Sequence, residues 1–390
     1  MIGKYLSTFD IDNVLGSTWR GGDGDSHRQL VKQLAMIHGC RHVILFQSAR
    51  CALQAFLRTL GTSGKAILPA YNCIAVPEAV QRVGWRPVFA DIAFGDINMT
   101  HDTLANNLPA DARVVILTHQ FGIPPAIEPI MDLCRRRGLF VVEDVAPAIG
   151  ARYRGRPVGQ FGDAAVVSFQ LTKVVGAGRA GALLTNDEDI AAKVQSLQIA
   201  SLNSGQELVD MVAAAAWWAV TRPSVYGTLR NAWGLLHHDE LYEEVIPSTP
   251  SPASSFSSCS KYVAELASRQ MASLDSNLSN RRILANVYLK GLYEVKGITI
   301  PEVPEGAEPA WMQFPIFVEN KEACHRFLLK HGVDLSWTFR YSCGVSYNVK
   351  NTPNAERAAR TLLGLPTYPG LTTKDASRIC ELLHSFSRRC

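Results

Sequence analysis

No stretch of this 390-residue sequence is apolar over the length that a bilayer requires. The longest candidate, Met211–Val220 (MVAAAAWWAV), runs straight into Thr221-Arg222-Pro223, whereas a spanning helix needs about 20 residues. Charge is scarce too, at 19% of residues, and 39 basic against 35 acidic side chains leave a net charge of +4. The densest basic runs, Arg135-Arg136-Arg137 and Arg152 to Arg156, are too short to track a phosphate backbone, so no nucleic-acid partner is expected. Nine cysteines, at 40, 51, 73, 134, 259, 324, 343, 380 and 390, form no C-x-x-C pair and leave one over. Neither a metal site nor a disulfide framework is indicated. Met1–Asp10 lacks the charged start, apolar core and small-residue cleavage site of a signal peptide, which makes a cytoplasmic location the expectation. There is no internal repeat. What is left is an ordinary globular composition, 47% hydrophobic, in a chain longer than one core usually organises.

The order of apolar runs supplies a fold class. Between residues 26 and 190, His42–Phe46, Ala66–Pro69, Pro87–Ala90, Val114–Thr118, Leu139–Glu143, Ala165–Ser168 and Ala182–Thr185 alternate with helix-like segments. Near-continuous apolar strands separated by helices imply a mostly parallel sheet covered on both faces, the three-layer α/β arrangement. After Asp187 the pattern turns helical and breaks down across Val245–Ser260 (VIPSTPSPASSFSSCS), the best linker in the chain. Lys261–Tyr293 reads as a long amphipathic helical segment, and the rest mixes two or three strands with helices. A large domain over 1–250 and a smaller α+β domain over 251–390 follow.

The stretch Phe140–Asp187 carries the chemistry. One strand ends in Glu143-Asp144, another in Ser168-Phe169, and Lys173 follows within a glycine-rich turn. Ligands of α/β sheets sit at the carboxyl ends of strands, so an acid, a hydroxyl and a lysine at such ends would converge on one crevice. Pyridoxal phosphate needs that trio: a lysine for a Schiff base, an acid to keep its pyridine nitrogen protonated, and donors around its phosphate. Singly, each residue has a plainer reading, since most lysines are surface groups and a strand-end Asp commonly caps a helix.

The spacing resembles the DegT/StrS-type sugar aminotransferases, a pyridoxal-phosphate family of fold type I. Gly155–Asp163 and Ser168-Phe169-Gln170-Leu171-Thr172-Lys173 look like its G-x-x-x-G-x-x-G-x-x-G-D and S-F-x-x-x-K motifs, nearly intact, and His42–Leu53 like its strand and phosphate loop. Leu68–Val80, Gly84–Asp91, His119–Gly122, Pro353–Glu356 and Leu365–Thr372 resemble further family segments. The resemblance implies that Lys173 forms the Schiff base and is the proton-transfer base, while Asp144 pairs with the pyridine nitrogen. It also implies that Ser168 and the backbone of Ser48, Ala49 and Arg50 hold the phosphate, with Cys73 at the ring-stacking position. The implied reaction is a two-stage transamination through pyridoxamine phosphate. It moves an amino group from an amino acid such as glutamate to a nucleotide-linked keto-sugar, in a homodimer. Relatives with His at the lysine position act as dehydratases.

Departures from the family pattern cluster around the cofactor. Cys73 replaces the stacking aromatic, with Tyr71 its nearest substitute in sequence, and Pro147 replaces a Gln or His whose contact Gln120 or Gln170 could supply. The E-G-G turn reads Arg179-Ala180-Gly181, Arg50 stands where Thr is usual, and Ser254–Ser260 lacks the Asn that crosses the dimer. A dehydratase, an aminotransferase for a non-sugar ketone and a non-catalytic regulatory relative therefore stay open. Two other features are set apart. The 211–236 segment, with Trp217, Trp218, Tyr226 and Trp233, could rest on a membrane surface or cover a lipid-linked substrate. A helix pair buried at the dimer seam or against the core is the favoured reading. His237-His238-Asp239-Glu240 is not read as a metal site, because consecutive residues do not face one another.

Overall fold

The computed structural model describes residues 1–19, 25–199, 204–236 and 256–389. Its strands are β1 (His42–Phe46), β2 (Lys65–Pro69), β3 (Arg86–Ala90), β4 (Ala112–Thr118), β5 (Phe140–Asp144), the short β6 (Arg152–Tyr153) and β7 (Arg156–Pro157), β8 (Ala164–Ser168) and β9 (Gly181–Thr185). Seven of them form one sheet in the order β1-β9-β8-β5-β4-β2-β3, and these are the seven expected from the apolar runs. β2, β3, β4, β5 and β8 pair in parallel, whereas β9 runs antiparallel to both β1 and β8. The start of β9 therefore lies at the edge where the other strands end.

Alternation along each strand sends neighbouring side chains to opposite faces, and here both faces are apolar. Ile44, Val114, Ile116, Val142 and Leu183 enter one core, against Ala52, Leu53 and Phe56 of the Ala49–Thr59 helix. Leu45, Val115, Leu117, Val141 and Leu184 enter the other, against Leu30 and Leu34 of the Ser26–His38 helix and Ile130 of the Ile127–Arg136 helix. Val263 and Leu266 of the Lys261–Met271 helix join that second core. The C-terminal part contains β10 (Ile298–Thr299), β11 (Ala307–Glu308), β12 (Phe314–Val318) and β13 (Leu362–Leu365). β10, β12 and β13 make an antiparallel sheet, and β11 pairs with β6. Phe314, Ile316 and Leu363 pack with Leu284 and Tyr288 of the Leu274–Gly291 helix and Ile379 of the Thr373–Ser387 helix. The 250/251 boundary, the cluster 237–240 and most of the expected linker lie outside the described residues.

The Trp-rich segment folds as two helices, Ser204–Thr221 and Pro223–Leu236. Trp217 and Trp218 are half-buried against the second core, Trp217 with its ring 6.4 Å from that of Tyr5 and Trp218 beneath Arg222 at 4.3 Å. Leu208, Val209, Val212 and Val220 remain exposed on the first of these helices. No described helix is long and apolar enough to cross a membrane.

The second helix is fastened to the C-terminal part at one buried carboxylate. Asp334 accepts hydrogen bonds from the Tyr226 hydroxyl at 2.6 Å, Arg230 Nε at 3.0 Å and His325 Nε2 at 3.0 Å. Burial works to raise its pKa, but the bonds from His325 and Tyr226 and the charge of Arg230 prevail and hold it down to about 2. A lowered carboxylate pKa contributes stability that is complete above the unfolded value and is lost as pH falls through the folded one. Between pH 4 and pH 2 the clasp is thus expected to give up roughly 2 kcal/mol. Urea unfolding across that range should show an increment in the wild type that Asp334→Asn lacks. Parallel pH dependences for the two proteins would contradict it.

Candidate active site

The carboxyl edge of the sheet gathers the chemistry from separate strands. After β1 the chain turns at Ser48, whose extended backbone and side chain cap the Ala49–Thr59 helix, with Oγ accepting from the Cys51 N–H at 3.2 Å. The first N–H groups of a helix have no partners within it, so Ala49 and Arg50 present donors where an anion can sit. After β8, Ser168 leads into a tight loop. The Lys173 N–H donates to the Gln170 carbonyl at 2.8 Å, and the Ala177 and Gly178 N–H groups both donate to the Phe169 carbonyl. Gly178 closes this loop at a φ of +129°, a conformation that L side chains rarely adopt. Gly181 then lies so close to the helix cap that a Cβ would fall 2.2 Å from the Ala49 nitrogen.

Asp144 ends β5 opposite Thr118 of β4 and is 6% exposed. Its carboxylate accepts from Thr118 Oγ1 at 3.3 Å and the Ala146 N–H at 3.1 Å, and Asn72 Nδ2 donates to the same Thr118 oxygen at 3.0 Å. Burial raises its pKa, opposed chiefly by the charge of Lys173. A cation beside this carboxylate would relieve that cost. Glu143, which points to the other face, is a structural counterpart. It accepts from His119 Nε2 and from the N–H groups of Gly159, Phe161 and Gly162. Burial opposes its charge, but these bonds leave the carboxyl below its ordinary value.

A cavity of about 700 Å³ is lined by Ser48, Ala49, Arg50, Cys73, Asp144, Ser168 and Lys173, so every expected site residue borders one space. Such a volume suits a small ligand. Gln120, Pro147 and Gln170 border it as well. The Gln120 amide nitrogen is committed to the Tyr71 carbonyl at 2.7 Å. Tyr71, the sequence-nearest substitute for the stacking aromatic, is fully buried and is not among the lining residues. It packs edge-on, at 5.2 Å, against Phe339, which does line the cavity. Sequence reasoning gave no role to Asn72 and Thr118, and noted Arg179 only as a departure from the family's turn. A polar residue ending β4 was the available signal for Thr118, while Phe339 comes from a distant part of the chain that only the fold brings near.

The family model of the DegT/DnrJ/EryC1/StrS aminotransferases matches residues 7–215 and 256–384. The chain belongs to this family. Among similar proteins, dTDP-4-dehydro-2,3,6-trideoxy-D-glucose 4-aminotransferase of Saccharopolyspora spinosa is 25% identical over 96% of this chain and 93% of its own. UDP-N-acetyl-3-dehydro-alpha-D-glucosamine 3-aminotransferase of Acidithiobacillus ferrooxidans is 27% identical over 92% and 88%. The fold matches that of S. venezuelae DesV, solved in complex with a ketimine intermediate, at a TM-score of 0.78 and 24% identity over 97% of this chain and 94% of that one. The protein is accordingly a transaminase of three-layer α/β fold.

Pyridoxal phosphate, the cofactor this family implies, suits the residues present. The buried acid Asp144 gains from a cationic partner, Lys173 offers an amine to the same cavity, and the capped helix start beside Arg50 offers donors for a phosphate.

Proposed function

We propose that this transaminase moves an amino group from an amino acid, glutamate first among candidates, to the keto group of a nucleotide-linked sugar. In this reading the enzyme is a cytoplasmic homodimer with domains at 1–250 and 251–390, and Lys173 holds pyridoxal phosphate. The observation that carries it is the convergence of Lys173, Asp144 and the Ser48–Arg50 helix start on one cavity. The names of the relatives, which act on dTDP- and UDP-linked sugars, support the acceptor class.

When bound, the cofactor supplies an electron sink for the carbon bearing the amine. Each residue then has a separate task. The backbone N–H groups of Ser48, Ala49 and Arg50 would hold the phosphate, and the Arg50 guanidinium would add a charge-assisted bond. Asp144, kept in place by Thr118 and Ala146, stays ionised against the ring nitrogen. With the cofactor present, Lys173 Nζ would hold it covalently and would serve as the base that moves the proton at the substrate carbon. Lysine rather than histidine at 173 favours transamination over dehydration. Ser168 lies where it can add a hydroxyl donor, and Cys73 with Phe339 borders the remaining wall.

Purified enzyme incubated with glutamate and a panel of nucleotide-linked keto-sugars should yield an amino-sugar by mass spectrometry, with 2-oxoglutarate in equal amount. Amination of a non-sugar ketone alone would move the acceptor class elsewhere.

A further inference from the structure

Two cations stand where the family's motifs carry other residues: Arg50 in place of Thr, and Arg179 in place of the Glu of the E-G-G turn. Both line the cavity. Because β9 is reversed, Arg179-Ala180-Gly181 lies at the edge where β1 and β8 end, and Gly181 abuts the Ser48 and Ala49 backbone. Arg179 is therefore brought beside the helix start that Ser48 caps. Its guanidinium donates to Gln47 Oε1 and to Gln206 Oε1, each at 3.3 Å, and both acceptors are neutral. Among the described residues, neither Arg50 nor Arg179 has a carboxylate partner. The backbone running past Gln47, which takes that residue's N–H on the Ser257 carbonyl at 3.0 Å, belongs to a stretch, Phe256–Ser260, that contains no Asn.

We propose that Arg179 is a second phosphate-binding cation, so that Arg50 and Arg179 of one chain grip the phosphate of the cofactor. This rests on the reading of the cavity as a pyridoxal-phosphate site. A phosphate monoester carries about −1.5 to −2 charges near neutral pH, which two guanidinium groups match and one does not. The neutral amides of Gln47 and Gln206 orient the planar Arg179 group without neutralising it, leaving its charge for the ligand.

The test is equilibrium binding to the cofactor-free enzyme, followed spectroscopically, with pyridoxal phosphate and with pyridoxal, which lacks the phosphate. Arg179→Gln should raise the Kd for pyridoxal phosphate by about tenfold or more and leave that for pyridoxal unchanged, whereas Arg179→Lys should retain part of the affinity. Added salt should weaken wild-type binding more steeply than that of Arg179→Gln. Thermal unfolding of the cofactor-free variants should match the wild type, because Arg179 is exposed. An unchanged Kd for pyridoxal phosphate in Arg179→Gln overturns the proposal. So does a rise confined to the KM of the amino donor or the nucleotide sugar, which would assign Arg179 to a substrate anion. A wild type that binds neither compound fails at the cofactor reading itself and takes this proposal with it.

Discussion

Replacing Lys173 with Ala is expected to stop both halves of the transamination while leaving the fold intact. The side chain is half-exposed on a loop whose shape is set by backbone bonds, including that from the Lys173 N–H to Gln170, and those bonds survive the substitution. On the proposed reading, what is lost is the amine that holds the cofactor and moves the proton at the substrate carbon. Positioned proton transfer alone is worth about 10²–10⁴-fold, and the covalent hold comes on top of it. Single-turnover reaction with glutamate should therefore fall by at least about 10⁴-fold. The phosphate loop is untouched, so pyridoxal phosphate should still bind without a covalent link. A variant retaining even a tenth of the wild-type single-turnover rate would remove Lys173 from the mechanism.

Asp144→Asn should separate activity from stability in opposite directions. In the cofactor-free protein the carboxylate is buried with its pKa raised. A carboxyl group of this kind costs stability progressively as pH rises from its unfolded pKa towards its folded one, the reverse of the Asp334 case. Asn keeps the shape and avoids that cost, so the cofactor-free variant is expected to be as stable as the wild type or more so above about pH 5. Activity should move the other way, because a neutral amide cannot keep the ring nitrogen cationic. A fall of about 10²–10⁴-fold in proton abstraction is expected. Bound cofactor should also stabilise the wild type against heat by more than it stabilises the variant. If Asp144 merely caps the following turn through Ala146, the variant should instead lose stability and keep near-normal half-reaction rates.

The fold was legible because buried strands leave runs such as His42–Phe46 and Ala182–Thr185 that little else produces. Direction was not legible. An apolar run reads alike both ways, and nothing within Ala182–Thr185 distinguishes a reversed strand from a parallel one. Yet that reversal brings Arg179 to the cavity. That Lys173, Asp144 and Ser48 border one cavity was legible because each sits beside a strand end within a short motif. The aromatic lining was misplaced for the opposite reason. Tyr71 is close to Cys73 in sequence but faces the interior, and Phe339 reaches the cavity from the C-terminal part through packing that no local pattern encodes. Thr118 and Asn72 escaped notice because their tie to Asp144 depends on strand neighbours and on a loop after β2.

The central claim is tested most directly by reducing the enzyme with borohydride in the presence of pyridoxal phosphate and mapping the labelled peptides by mass spectrometry. The account predicts the phosphopyridoxyl group on the peptide carrying Lys173, with loss of the visible absorption band. A label on any other lysine, or none on a protein that nonetheless transaminates, would contradict it.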